Sequence, residues 1–520
     1  MDNLAALPLS TITLSGIALY ILGSCTYNLW FHPLRHIPGP WYAAISPVWL
    51  TFQDLKLKRA YALQDMLVRY GGIVRIHPNQ VVYVDSVASR VVYSKCPKSA
   101  TYKAFLTNDG DNALTILDNA NHAIRKRAYR PHYTAPNLAL YQPEIHEFTH
   151  DAVDKMLQCD GKKPIDCLIL FSRLLTDITF MSSFGQRTES VKNWDIVNLT
   201  EDPANEIIDA IHLFPIRGIL RAISPQPLWI LLNWLPFPTA KKVLGCDNRI
   251  ASYVIRSRNQ VIENDPNFKL TGEKDEIRSD DERLSLIHRL LLQSLRAKPE
   301  DKLSDDATVA ESMAHTIAGV DTSSITLAYM IYNLARMPDV LARIREEVDP
   351  LMPMEDGRHQ IPSIVTLENL PYLKAFFMES MRLYGAVPSM LERVVPPTLD
   401  VEFSIRGFQI PPGTIVGTQA WSVHRDPSIF PDPEAFKPER WLTATEDMRS
   451  HWMAFGVGSR SCAGVHLAQI FIRVIIVAIC RNFDLEIPAS TTPESMEQRF
   501  AFAMNPAGRT VPLVFKPRRD

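Results

Sequence analysis

The sequence predicts a mostly α-helical protein with smaller β regions (α+β), held at a membrane by one N-terminal transmembrane helix. Three observations predict this class: a long uncharged N-terminal run, mostly helical periodicity over about 120–345, and short strands with Pro-rich turns from 394 onward. The 520 residues are 46% hydrophobic, which is enough for a very large core. Because no internal repeat or clean boundary interrupts them, residues 41–520 are predicted to form one domain.

Charge and cysteine content exclude several classes of protein. The formal net charge of -2 argues against nucleic-acid binding, which needs a strong basic excess. Seven cysteines with no CxxC pair are an odd number and lack metal-ribbon spacing. The sequence therefore favours a reducing compartment over a secreted disulfide framework or a zinc ribbon.

The N-terminal run LSTITLSGIALYILGSCTYNLWF, residues 9–31, contains no charged residue. It is long enough to cross a hydrocarbon core of about 30 Å. A cleaved signal peptide would have basic residues before the run, but only Asp2 precedes it, whereas Arg35 follows. We therefore predict a retained anchor, residues 1–31, with the C-terminal side in the cytosol.

The next segments predict how the domain begins. HPLRHIPGP, residues 32–40, has prolines on both sides of a glycine, so it is predicted as a stiff proline-rich hinge after the anchor. GGIVRIHPN (71–79) and QVVYVDSV (80–87) alternate apolar and polar residues, which predicts a hairpin of half-buried strands.

Two further segments interrupt the helical region. Residues 212–236 are strongly apolar but contain four prolines, so they cannot form one transmembrane helix. We expect short segments that pack inward or touch the bilayer surface. The prolines are Pro215, Pro225, Pro227 and Pro236. The charged residues 265–283 predict an exposed loop.

Two short motifs carry little information. HEFTH, from His146 to His150, matches a zinc-protease pattern with Glu147 as the base, but no downstream motif specifies a third ligand. An amphipathic helix with solvated side chains is the favoured interpretation. Asn198 begins a glycosylation sequon, which a cytosolic domain would not expose to the glycosylation machinery.

The stretch AHTIAGVDTSS, residues 314–324, lies in an apolar helix predicted over roughly 305–337. Gly319 costs about 1 kcal/mol relative to Ala in a helix interior. It is followed by an acid and an alcohol, Asp321 and Thr322. We expect a local kink or π-bulge here, which would open a notch for water or a small ligand.

Three more stretches complete the pattern. FMESMRLYGAVP places Glu379 and Arg382 at i and i+3, and FKPERWL places Arg440 in a Pro-rich loop. FGVGSRSCAG places Cys462 in a Gly-rich loop directly before an apolar helical pattern, with Arg460 two residues earlier.

The order and spacing of these four stretches resemble those of the cytochrome P450 haem-thiolate monooxygenases, over nearly the whole chain. The family's acid–alcohol motif is matched by 318–323 and its ExxR motif by Glu379 and Arg382, with Arg440 as the third partner. Its ligand loop FxxGxRxCxG is matched by Phe455, Gly458, Arg460, Cys462 and Gly464. The anchor and FHPLRHIPGP are similar to those of microsomal members from filamentous fungi.

The resemblance implies a haem b cofactor with the Cys462 thiolate as the axial iron ligand. It further implies that Arg460 and Arg393 bind haem propionates and that Phe455 covers the sulfur. The glycines of the loop would let the backbone approach the porphyrin: Gly456, Gly458 and Gly464.

One position departs from the family pattern. The family often has WxxxR in a helix before the long helix, whereas this chain has HAIRK, with His122 and Lys126. Lysine is a point charge and lacks the fork of arginine. Whether Arg125, Lys126 or Arg127 contacts a propionate stays open from the sequence.

The resemblance also implies roles and partners. Asp321 and Thr322 would relay protons to dioxygen at the haem, while Glu379, Arg382 and Arg440 would be structural. No flavin or nicotinamide fingerprint occurs in the chain, so NADPH–cytochrome P450 reductase is the expected electron donor, with cytochrome b5 as a second candidate. The implied location is the endoplasmic reticulum membrane, single-pass, with a cytosolic catalytic domain.

The expected substrate is a lipophilic terpenoid, polyketide or alkaloid intermediate of fungal secondary metabolism. Segments expected to form its pocket are 99–117, 205–236, 315–318, 386–391 and 500–504. Apolar wall residues are Phe105, Leu106, Ile317, Val387, Met390 and Phe502. His315 either orients a polar group of the substrate or is a packed core histidine.

Three other functions remain as alternatives: a haem-thiolate isomerase or peroxygenase that uses no reductase, a non-catalytic haem-binding protein, and a zinc protease. The intact Asp321–Thr322 pair and the complete ligand loop argue against the first two. The third depends on HEFTH alone.

Overall fold

The computed structural model describes residues 9–196, 203–234, 236–264, 283–399 and 403–518. The described part is mostly helical with small sheets, which confirms the predicted class. The sequon at Asn198 and nearly all of the predicted charged loop lie outside the described residues.

The helices are labelled α1 to α21 in chain order. They span Leu9–Thr26, Trp41–Ile45, Val48–Leu55, Arg59–Tyr70, Ser86–Lys95, Asn119–Tyr129, Ala135–Ala139, Gln142–Gln158, Cys167–Phe184, Pro203–Ile223, Gln226–Trp234, Pro238–Leu244, Cys246–Asn264, Leu286–Arg296, Asp305–Arg336, Pro338–Val348, Ile364–Glu368, Pro371–Tyr384, Ala420–Val423, Glu446–His451 and Val465–Asn482.

The strands are labelled β1 to β13 in the same way. They span Ile73–His77, Gln80–Tyr83, Ile165–Asp166, Met354–Glu355, Arg358–His359, Arg393–Val394, Ser404–Ile405, Phe408–Gln409, Ile415–Gly417, Phe483–Glu486, Gln498–Ala501, Ala503–Pro506 and Pro512–Pro517. The larger sheets have the strand orders β1-β2-β9-β6 and β10-β13-β3.

Contacts divide the chain into two compact units. Unit 1 comprises Met1–Ser99, Ser389–Val423 and Val457–Arg460, and unit 2 comprises Ala100–Pro388, His424–Gly456 and Ser461–Asp520. The predicted single domain over 41–520 stays a prediction.

Unit 1 is built on the four-stranded sheet. The predicted hairpin is present, since β1 and β2 pair antiparallel, with Ile73 opposite Tyr83. Strand β9 then pairs parallel with β2 and antiparallel with β6. Most residues of β1 and all of β2 are buried, because apolar clusters pack on the sheet.

The N-terminal apolar helix of unit 1 is the exposed candidate for a membrane span. Helix α1 passes directly into a π-helix, Tyr27–Phe31, which ends where His32 turns to extended backbone. The apolar helix Ser10–Phe31 is only 6% buried. Two other helices, α9 and α21, are long and apolar enough to span a membrane, but they are 94% and 67% buried within the protein.

Unit 2 is organised around α15, whose bounds match the helix predicted from the sequence. Ser304 caps its N-terminus by accepting a hydrogen bond from the Ala307 N–H at 3.1 Å, and two aspartates follow in the first turn. The helix ends just before Pro338. Its neighbour α9 is buried over almost its whole length, because α15 packs along it.

The proline-interrupted segment folds differently from the prediction at one point. Pro215 lies inside α10, which continues to Ile223, and the chain breaks only before α11. A proline removes one backbone hydrogen bond, but a buried helix of this length keeps its form through packing. Helix α11 has no buried residue.

Candidate active site

The loop before α21 presents the cysteine. Its turn is closed by the Cys462 N–H, which donates to the Phe455 carbonyl at 2.8 Å. All seven cysteines lie in the described residues, and five are buried, Cys25 is intermediate and Cys462 is exposed. Cys462 is therefore the cysteine whose sulfur is available to a ligand.

Two effects shift the pKa of the Cys462 thiol in opposite directions. Surrounding protein raises the pKa of the Cys462 thiol by desolvation, whereas a hydrogen bond from the Gly464 backbone lowers it. Gly464 is also the residue that precedes the first turn of α21. A sulfur that receives a backbone hydrogen bond at a helix N-terminus suits a thiolate ligand, so the donor set fits the haem that the sequence implies.

Two of the three glycines in the cysteine loop have a positive φ angle, which residues other than glycine rarely adopt. Gly456 has φ +71° and Gly458 has φ +76°. Within unit 1, a Cβ on Gly458 would lie 2.4 Å from the Tyr93 carbonyl oxygen. Gly464 has φ -85°, so its backbone is not of this kind.

Phe455 is half-buried at the start of the loop. Its ring stacks on Phe377 of α18 at 6.4 Å between centroids and contacts Trp452 at 5.8 Å. These contacts hold the residue whose carbonyl accepts the Cys462 N–H.

The ExxR pair forms a buried charge cluster in unit 2. Arg382 donates two hydrogen bonds of 2.8 Å to the two oxygens of Glu379, and both side chains are 0% exposed. Arg440 donates from Nε to Glu379 Oε1 at 3.1 Å. The structure thus brings the three predicted residues together.

Two residues of this cluster were missed by the sequence analysis. Trp441 donates from its indole N–H to Glu379 Oε2 at 2.9 Å. His424 bonds the Arg382 carbonyl through Nδ1 at 2.9 Å and accepts the Met453 N–H at Nε2 at 2.9 Å. Burial lowers the pKa of His424 to about 3, so the neutral ring joins the ExxR helix to the segment before the cysteine loop.

The side chains of Asp321 and Thr322 on α15 have different hydrogen-bond partners. The Thr322 hydroxyl donates to the Ala318 carbonyl at 2.7 Å. Asp321 is buried and its Oδ1 lies 2.8 Å from Nδ1 of His212 on α10. No local pattern pointed to His212, because its partner is 109 positions away.

The expected π-bulge at Gly319 is wrong, because α15 is continuous α-helix there. A Cβ at this position would lie 3.1 Å from Thr179 Oγ1 of α9. Gly319 therefore serves close packing of two helices.

The basic residues of α6 have distinct partners. Arg125 donates to the Ala307 carbonyl at 3.0 Å and lies 3.5 Å from Glu311. Arg127 pairs with Asp301 at 3.1 Å. These two therefore contact α15 and the segment before it.

His122 and Lys126 occupy positions i and i+4 of α6, so they share one face of the helix. In unit 1, Arg393 is buried, donates to the Glu392 carbonyl at 2.8 Å and lies over the Tyr93 ring. Arg460 ends a short 3₁₀ turn.

His315 has protein partners at both ring nitrogens. Nδ1 lies 2.7 Å from the Tyr133 hydroxyl, and Nε2 lies 3.1 Å from Glu311 Oε1. The ring also stacks on Tyr133. These contacts favour the packed-histidine interpretation over contact with a substrate.

The HEFTH residues lie on α8, where the Glu147 carboxylate accepts two hydrogen bonds from Arg187 at 2.6 and 2.7 Å. This surface ion pair occupies the side chain that a protease would need as its base. Among the described residues, no group of three or more His, Cys, Asp or Glu could hold a metal ion.

Comparison with known proteins identifies the family. The cytochrome P450 family model matches residues 44–513. The cytochrome P450 monooxygenase BOT1 of Botryotinia fuckeliana is 30% identical over 474 residues, which cover 89% of this chain and 86% of that protein. The cytochrome P450 monooxygenase pbrB of Penicillium brasilianum is 26% identical over 485 residues, with 92% and 91% covered. The cytochrome P450 monooxygenase aflV of Aspergillus parasiticus is 26% identical over 475 residues, with 90% and 88% covered. With its exposed Cys462 and its Glu379–Arg382–Arg440 cluster, the chain belongs to the cytochrome P450 monooxygenase family, whose members bind haem through a cysteine thiolate.

Proposed function

We propose that this monooxygenase inserts one oxygen atom from O2 into a lipophilic intermediate of fungal secondary metabolism, a terpenoid, polyketide or alkaloid. Electrons come from NADPH through the membrane-bound cytochrome P450 reductase, with cytochrome b5 as an additional donor. The observation that carries the proposal is the Cys462 sulfur, exposed at the N-terminus of α21 and bonded by the Gly464 backbone.

The cofactor is haem b, held by the Cys462 thiolate and by basic side chains at its propionates. When bound, it supplies the dioxygen chemistry that amino acid side chains cannot perform. The residues proposed to contact it besides Cys462 are His122, Lys126, Arg393, Phe455, Arg460 and Gly464. The buried Glu379, Arg382 and Arg440 stabilise the fold and do not touch the reacting atoms.

Asp321 and Thr322 are the proposed proton-delivery residues. Thr322 keeps its hydroxyl at a defined position through the bond to the Ala318 carbonyl. Asp321 supplies a carboxyl group that can hold and release a proton next to it. General acid catalysis of this kind is typically worth about 10²–10⁴-fold in rate.

An aromatic contact in unit 2 supports a lipophilic substrate. The Phe105 and Phe502 rings lie 4.6 Å apart, and the Phe105 ring packs on Gly218 of α10, where a Cβ would meet it at 2.1 Å. Ile317 of α15 is also apolar and buried. Met390, expected in the same wall, packs in an apolar cluster of unit 1.

The ligand assignment is tested with Cys462→Ser. We expect this variant to lose the red-shifted carbon-monoxide band of a thiolate-bound haem, because a serine hydroxyl is a poor substitute for the thiolate. Cys159→Ser and Cys246→Ser are matched controls at buried cysteines and should keep the band. A persistent band in Cys462→Ser would remove Cys462 from the iron.

We further propose that Ser10–Phe31 anchors the protein in the endoplasmic reticulum membrane, with the catalytic domain in the cytosol. The exposed apolar residues of α11 and the following turn give a second contact with the bilayer surface: Leu228, Ile230, Leu231, Trp234 and Phe237. Removal of residues 1–31 should release much of the protein from microsomes. Added protease should digest the domain in intact microsomes, and Asn198 should carry no glycan. A protected, glycosylated domain would reverse the orientation.

A further inference from the structure

A chain of three polar side chains crosses α9, α10 and α15 in unit 2. His212 lies in the middle, with Nδ1 2.8 Å from Asp321 Oδ1 and Nε2 2.8 Å from the Ser172 hydroxyl. Within the described part of the chain, no protein hydrogen bond reaches the second oxygen of Asp321, Oδ2. One carboxylate oxygen is therefore fixed and the other is left available.

Burial differs sharply along this chain. Ser172 is 0% exposed and the Asp321 side chain is 3% exposed, whereas the His212 side chain is 26% exposed. His212 is thus the most accessible member of the three, and its ring lies between the buried Asp321 carboxylate and Ser172.

The hydrogen-bond chemistry defines the ring state. An ionised carboxylate can only accept, so Nδ1 of His212 carries a proton and donates to Asp321. In the neutral ring Nε2 then accepts the Ser172 O–H. Because a hydroxyl can also accept, the Asp321 carboxylate selects this tautomer and Ser172 adapts to it.

The charges around His212 come from several elements. Asp166, at the end of β3, interacts electrostatically with His212, so two carboxylates act on the ring. Several charged side chains on α10 and on the elements packed against it form pairs of their own: Asp247 with Arg217, Lys242 with Asp209, Lys103 with Asp111, and Arg499 with Glu497.

We propose that His212 is a positioning residue for Asp321: it orients the carboxyl group for proton delivery through Oδ2. Ser172 bonds the opposite edge of the ring and so fixes its orientation. This inference rests on the proposed proton-delivery role of Asp321.

The first test measures the link without catalysis. The full chain, labelled with 13C and 15N in histidine and held in detergent in the ferric state, is measured by NMR, and the His212 signals are assigned by their loss in His212→Asn. We expect the 15N shifts of the Nδ1–H tautomer. In Asp321→Leu, which has no acceptor at this position, the Nδ1–H signal should move or the tautomer should change, because the carboxylate that receives this proton is gone. Unchanged ring 15N shifts in Asp321→Leu would overturn the link.

The second test measures coupling, the fraction of NADPH electrons recovered as product. His212→Leu removes the donor and should lower coupling about tenfold or more, because the carboxyl group loses its orientation. His212→Asn keeps a donor at the δ position, so it should restore much of the coupling. His150→Asn, on α8, is the matched control and should match the wild type.

The outcomes separate this inference from the proposed function. If His212→Leu lowers only haem content or stability while coupling per haem matches the wild type, His212 is a tether between α10 and α15 and the inference fails. If the wild type lacks the thiolate band or NADPH-dependent product, the proposed function fails instead. The NMR measurement still decides whether the His212 ring donates to Asp321.

Discussion

Two buried carboxylates of unit 2, Glu379 and Asp321, differ in the number and the kind of their hydrogen-bond partners. Both oxygens of Glu379 are bonded, to Arg382, Arg440 and Trp441 and to the Lys437 backbone N–H. Asp321 has one bonded oxygen, and its partner is the histidine ring of His212.

This difference contrasts a carboxylate whose two oxygens are both bonded with one that keeps an available oxygen. Guanidinium groups keep their charge at every physiological pH, so the Glu379 cluster stays in one state. Within the described residues, no protein hydrogen bond reaches Oδ2 of Asp321, which suits its proposed role in proton delivery.

The largest effect is expected for Glu379→Ala, which removes the carboxylate at the centre of its cluster. It leaves two buried guanidinium groups without their carboxylate, which costs about 3–5 kcal/mol. We expect the protein to lose most of its haem and to unfold at lower temperature, as measured by the pyridine-haemochrome assay and by thermal denaturation. Glu439→Ala removes a surface pair with Arg343 and should cost only about 0–1 kcal/mol. Equal effects of the two variants would contradict a structural lock at Glu379.

The second prediction concerns Asp321→Asn and Thr322→Ala, which should spare the fold and impair the chemistry. Haem content and substrate binding should stay near the wild type. Product formation should fall about 10²–10⁴-fold while NADPH consumption continues, with more of the electrons recovered as hydrogen peroxide. Thr326→Ala, one turn further along α15, is the control and should keep normal coupling. Normal coupling in both test variants would mean that protons arrive by another path.

The smallest effect is expected at His424, which joins the saturated cluster to the cysteine segment. Burial holds its pKa at about 3 in the folded protein, against 6.5 for an ordinary histidine. Because the unfolded chain binds the extra proton, stability is lost as pH falls from about 6.5 toward 3, by up to about 1.4 kcal/mol per pH unit.

His424→Gln removes this titrating ring, so the free energy of unfolding should change less between pH 7 and pH 5 than in the wild type. The difference should correspond to the binding of one proton by the unfolded chain, as measured by denaturant unfolding at the two pH values. His132→Gln is a matched comparison, since burial also lowers the pKa of His132 to about 3. If His424→Gln and the wild type lose equal stability over this range, the neutral ring of His424 is not what acid disrupts.

Much of the fold and part of the site followed from local patterns. The long helix α15, the β1–β2 hairpin and the N-terminal apolar helix lie where periodicity and charge predicted them. Glu379 and Arg382 are one helical turn apart, so their pairing could be predicted from spacing alone. The π-bulge expected at Gly319 does not form. Glycine costs about 1 kcal/mol in a helix interior, and close packing of α15 against Thr179 of α9 outweighs this cost.

By itself, the sequence determined the N-terminal apolar helix, the proline-rich segment after it, the cysteine loop and the helices that carry each motif, because these depend on neighbours within a few residues. Only the tertiary structure decided that Trp441 and His424 complete the Glu379 cluster and that His212 holds Asp321. The physical reason is the same in each case. The partners are tens of positions apart, and they meet through the packing of separate helices and loops, which local periodicity does not encode.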